Sequence, residues 1–122
     1  MAFNPGRGEA AFLTPGLGVG IITNMRAREL FNRRVVLFEN AFAELVVWEL
    51  PQPLRGSAHG YKYRLAFVVD DECVLRYDNE AGKGDHKHID AKEVAYAFST
   101  VERLVADFFH DVTRWRDENR NA

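Results

Sequence analysis

Between residues 61 and 69 the chain alternates strictly. Tyr61, Tyr63, Leu65, Phe67 and Val69 take every second place, with Lys62, Arg64, Ala66 and Val68 between them. A period of two puts the first set on one face of a strand. Asp70, Asp71 and Glu72 make the next turn. Cys73, Leu75 and Tyr77 then continue the apolar face on a returning strand, opposite Val74, Arg76 and Asp78. In that register Cys73 is a small buried residue. Upstream, residues 30–38 and 42–50 are rich in β-branched and aromatic side chains, and Glu39, Asn40 and Ala41 separate them by a hairpin length. Pro51 and Pro53 end the second of these strands, because proline cannot donate to a ladder.

Residues 51–60 read as an irregular loop and residues 80–92 as a long polar one, with a short extended piece over 94–98. The pattern then changes period. Val101, Leu104, Val105, Phe108, Phe109, Val112 and Trp115 recur at helical spacing, and Ser99 precedes Glu102 as in a capping box. Such a stripe needs a large apolar partner, and the sheet supplies it. The expected fold is α+β: an antiparallel meander of four or five strands with a C-terminal helix packed on one face. Trp48 and Trp115 belong to apolar contexts and are expected in the core.

Residues 1–24 differ from the rest. They hold Pro5, Pro15 and five of the nine glycines, and read as an extension to a single domain over 25–122, with Met25 a candidate alternative start. The length of 122 residues suits one domain. A net charge of −2 does not mark the whole chain for nucleic acid, although Arg26, Arg28, Arg33 and Arg34 cluster early. Cys73 is the sole cysteine, so no intrachain disulfide forms and a reducing, cytoplasmic location is expected. No apolar run approaches the ~20 residues of a membrane helix.

Chemistry concentrates in residues 77–88. His86 and His88 suit general acid–base work near neutral pH. Lys83 and Lys87 suit phosphate, Gly82 and Gly84 allow close backbone approach, and Asp78 and Asp85 would orient an imidazole. Two other readings of the same residues remain. One is a solvated turn, since Asp78 and Asn79 at a strand end often bond the backbone. The other is a metal site, in which Asp78, Asp85 or Asp90 would join His86 and His88. His59, beside Gly60, reads as a surface residue, and His110 as a solvated helix residue.

Five stretches carry a family resemblance: Tyr61-Lys62-Tyr63-Arg64-Leu65, Arg76-Tyr77-Asp78-Asn79, the run from Gly82 to His88, Phe98-Ser99-Thr100-Val101-Glu102-Arg103-Leu104, and Val46-Val47-Trp48 followed by Pro51 and Pro53. Together they resemble the TumE toxins of toxin–antitoxin systems, over roughly residues 25–115. The resemblance implies a small cytoplasmic toxin with a cognate antitoxin, often a DNA-binding helix-turn-helix protein. Many toxins of this size attack RNA, an analogy across families. The preferred expectation is therefore a metal-independent ribonuclease without cofactor, its oligomeric state left open with a homodimer among the options. In it His86, His88, Lys83 and Asp85 are catalytic, and Arg64, Arg76, Asp78, Asn79 and Lys87 bind substrate. The alternatives are a non-catalytic module that binds nucleic acid or protein, and a metal-assisted hydrolase.

Overall fold

The structure is a computed structural model and describes residues 26–120. The extension expected over 1–24, and Met25 as a start, lie outside the described residues. Six strands, β1 (Arg28–Phe38), β2 (Ala41–Glu49), β3 (Tyr61–Val69), β4 (Glu72–Glu80), β5 (Gly84–Ile89) and β6 (Lys92–Ala95), precede one helix, α1 (Val101–Asn119). They form a single sheet in chain order, each antiparallel to the next. The meander and the C-terminal helix are as expected. The strand number is six, not four or five.

The extra strand comes from the segment read as a polar loop. It folds into the end of β4, a turn, β5 and the start of β6. Its residues show no apolar alternation, because both faces are polar: Asp85 and Lys87 on one side, His86 and His88 on the other. The ladder with β4 satisfies the backbone. Gly82 makes the turn possible. Its φ is +79°, and a Cβ there would stand 2.6 Å from Arg55 Nη2. Its N–H also donates to the Arg55 carbonyl at 2.8 Å, tying the 51–60 loop to this turn. The β3–β4 hairpin turns through Asp70 and Asp71, both at positive φ, as a two-residue hairpin loop requires.

One face of the sheet carries the main core. Leu45, Val47, Tyr63, Leu65, Phe67, Leu75 and Tyr77 meet Leu104, Phe108 and Val112 of α1, which crosses β3 and β4. Trp115 packs edge-on against Phe67 with centroids 5.6 Å apart, as its apolar setting implied. Trp48 is also buried, but on the far face beside Ala27 and Val46. The helix starts one residue later than expected. Thr100, not Ser99, is the N-cap, its side chain accepting from Arg103 N–H at 3.0 Å.

Cys73 is exposed, contrary to the alternation. Val68 pairs with Cys73 and Phe67 with Leu75, so Val74 is an extra residue on β4. This β-bulge resets the period: Val74 turns inward at 8% exposure and Cys73 outward.

Candidate functional site

Register decides which of the candidate residues meet. Arg64 pairs with Asp78 and Asp78 with His86, while Arg76 pairs with His88 and His88 with Glu93. These side chains share the face turned away from α1. Asp85, Lys87 and Asn79 alternate to the helix face. The expected set of nine is thus divided between two sides of the sheet.

On the far face the centre is His86, which is only 4% exposed. Its Nδ1 lies 3.2 Å from the Gly84 carbonyl, which can only accept, so Nδ1 carries a proton. Its Nε2 stands 2.8 Å from Asp78 Oδ1. The other Asp78 oxygen lies 3.1 Å from Arg76 Nε. The His86 and His88 rings meet edge to face, 5.1 Å between centroids. Asp78, His86 and His88 each present one donor atom, and all three atoms fall within 4.8 Å of one another. Burial, followed by the neighbouring Arg76 charge, holds the His88 imidazole below its usual pKa, so it is neutral at pH 7.

Glu93 closes one side, its Oε2 3.7 Å from both imidazole Nε2 atoms and 3.1 Å from Lys83 Nζ. The Lys83 contact pulls Glu93 below the usual carboxylate range and raises the lysine. Arg64 sits at the rim, 3.9 Å from Glu44. Lys62 belongs to the same face, and its ammonium donates to the Asn79 carbonyl. Burial lowers its pKa. Sequence reasoning missed Glu93, because its place depends on the β5–β6 hairpin. It missed Glu44 and Lys62 as well, although period two places Lys62 with Arg64.

The helix-face residues have structural partners. Asn79, 1% exposed, accepts from Tyr63 N–H at 3.1 Å and donates to the Tyr61 carbonyl at 2.8 Å, so its amide extends the β3–β4 ladder. Lys87 donates to Asp111 Oδ2 at 2.9 Å, and the Tyr77 hydroxyl donates to the same oxygen at 2.5 Å. Asp85 Oδ2 accepts from the Tyr63 hydroxyl at 2.6 Å and faces His59 Nε2 at 2.8 Å. His59 Nδ1 accepts from Tyr61 N–H, so the proton of the neutral ring sits on Nε2, pointing at Asp85. The ring stacks on Phe98 with centroids 3.9 Å apart. His59 is therefore a half-buried anchor, not the surface residue its loop position suggested. His110 is exposed on α1, as expected.

These contacts predict how Asp85 behaves. Asp85→Ala leaves the Tyr63 hydroxyl and the His59 ring without their acceptor, and should cost roughly 2–3 kcal/mol. Growth inhibition should then fall only as far as folded protein falls. A fully folded, inactive Asp85→Ala chain would instead place Asp85 in the reaction.

Among the described residues no helix is long and apolar enough to cross a membrane. No curated protein and no solved structure matches the chain. The family model described as Toxin TumE matches residues 22–116, covering every described strand and most of α1. That span includes Asp78, His86, His88 and Glu93, and on its strength the chain belongs to the TumE family of toxins.

Proposed function

We propose that this toxin acts on RNA, cleaving a phosphodiester bond at the Asp78–His86–His88 cluster. One observation carries the reading: two imidazoles and a carboxylate converge on a sheet face that also presents Arg64, Arg76 and Lys83. Guanidinium and ammonium groups would hold the phosphate and stabilise the charge that develops on it. Cleavage would join the 2′-oxygen to phosphorus and break the bond to the 5′-oxygen. The 2′-OH proton would pass to a basic group of the cluster, and the departing 5′-oxygen would take a proton from water.

A two-histidine mechanism asks more of the geometry. An acid and a base that flank one phosphorus each sit about 2.6–3.2 Å from oxygens on opposite sides of it. Here both Nε2 atoms converge towards Asp78 Oδ1 within 4.8 Å. The cluster is thus better placed to act as one unit on one side of the phosphate. Membership of a toxin family also brings a cognate antitoxin in general terms. A helix-turn-helix type and a cytoplasmic site of action belong to the same proposal.

The test is induction of the full chain in a bacterial host, with labelled RNA cleavage measured on the purified protein. Wild type should arrest growth and cleave RNA. His88→Ala and Asp78→Asn should reduce both by about 100-fold or more while circular dichroism stays unchanged. Growth arrest without RNA cleavage would overturn the substrate, and active, folded variants would overturn the site.

A further inference from the structure

We propose that Asp78 Oδ1, His86 Nε2 and His88 Nε2 form a binding site for one divalent first-row transition-metal cation. The strongest sign is the His86–Asp78 contact. With Nδ1–H directed at Gly84, a neutral His86 presents a lone pair at Nε2. That lone pair faces a carboxylate oxygen at 2.8 Å. Two acceptors at this distance need a positive charge between or beside them. A proton on Nε2 would supply it through an aligned N–H···O bond, but Asp78 Oδ1 is a buried oxygen with no hydrogen bond among the described residues. His88 Nε2 is likewise buried without one. Two paired strands therefore bring three donor atoms within 4.8 Å of one another, and two of them, Asp78 Oδ1 and His88 Nε2, are buried without a hydrogen-bond partner among the described residues.

The surroundings fit a cation. Donor atoms around a metal with bonds of about 2.0–2.1 Å stand roughly 3 Å apart, so the 4.8 Å spread closes with small side-chain rotations. Asp78 and His86 are cross-strand partners and His88 lies two residues along β5, so the ladder holds their spacing. The Gly84 carbonyl fixes the His86 ring from behind, as a backbone carbonyl commonly does for a metal-bound imidazole. Two nitrogens and one oxygen select a transition metal over magnesium or calcium, which prefer all-oxygen shells. Glu93 Oε2, 3.7 Å from both imidazoles, is near enough to become a fourth ligand or to hold a bound water. Arg76 opposes the site electrostatically but engages the other Asp78 oxygen, leaving Oδ1 turned towards the histidines.

With three protein ligands, positions stay open for a water or a phosphate oxygen, so the cation would polarise the scissile phosphate or lower the pKa of bound water. That role rests on the RNA-directed reading above. The binding does not, and it is tested without RNA. The full chain, stripped with chelator and dialysed, is titrated with Zn²⁺ alone in a calorimeter, and with Co²⁺ followed by visible absorption. One equivalent of Zn²⁺ should bind, with nitrogen-ligated Co²⁺ bands and a rise in melting temperature. His88→Gln and Asp78→Asn should each weaken Zn²⁺ binding by about 100-fold. His110→Ala, on the exposed side of α1, should bind as wild type. Should the variants fail to fold, the wild-type stoichiometry and Co²⁺ spectrum decide alone. Substoichiometric Zn²⁺ and an unchanged aqueous Co²⁺ spectrum overturn the site, as do folded variants that bind like wild type. RNA cleavage that persists in chelator would leave the substrate standing and remove the metal's catalytic role, whereas Zn²⁺ binding without cleavage would leave the metal site standing and remove the substrate.

Discussion

Phe108→Ala should destabilise the fold by roughly 3–5 kcal/mol, among the largest effects of any single truncation in this chain. Phe108 is 0% exposed and stands at the centre of the helix–sheet contact. Its ring meets Tyr77 edge-on, 5.7 Å between centroids, and Phe109 at 5.1 Å. Truncation removes those contacts and leaves a cavity that the paired strands cannot collapse to fill, because the ladder fixes their spacing. Urea unfolding should show a lower midpoint at an unchanged slope. A wild-type midpoint would mean that α1 does not pack on β3 and β4 as described.

Asp111→Ala should be nearly as damaging, about 3 kcal/mol at neutral pH, and its effect should depend on pH. Asp111 is 8% exposed and receives both the Tyr77 hydroxyl and the Lys87 ammonium on one oxygen. Burial by itself raises a carboxyl pKa. The Tyr77 and Lys87 contacts outweigh it here and hold Asp111 below the usual carboxylate range. A folded pKa below the unfolded value of about 3.9 means that stabilisation is complete above the unfolded value. It is lost as pH falls through the lowered folded value. The gap between wild type and Asp111→Ala should therefore be full at pH 7 and narrow steadily on acidification below about pH 4. Parallel denaturation curves across that range check it, and a gap independent of pH would remove the charge from the explanation. The same contact also bears on Lys87. A cation committed to Asp111 on the helix face is remote in direction from His86 and His88, although Lys87 is the chain neighbour of both.

That separation marks the boundary between what local pattern conveys and what pairing decides. Alternation over 61–69 and the stripe from Val101 to Trp115 each bury a continuous apolar surface. Either pattern is stable in only one secondary structure, so β3 and α1 could be read in advance. The family likewise followed from short runs of residue types, independent of their contacts. The segment from Glu80 to Lys92 carries no such pattern. Its strands are held by backbone pairing with β4 and by charged side chains that find partners far along the chain, in Asp111, Tyr63 and His59. Once the segment is a strand, period two separates His86 and His88 from Asp85 and Lys87, and a grouping by chain proximity dissolves. The bulge at Val74 did the same to Cys73, since one inserted residue reverses every later side chain until the register recovers.

The sequence by itself determined the fold class, the C-terminal helix, the apolar core face, the toxin family and the residue types gathered near Asp78. Only the tertiary structure decided the six-strand count and that Asp78, His86, His88 and Glu93 converge while Asp85, Asn79 and Lys87 support the core side. The physical reason is that apolar burial depends on local period, which a chain displays in order. Charged and hydrogen-bonded side chains take their geometry from cross-strand neighbours, and those are chosen by register rather than by distance along the chain.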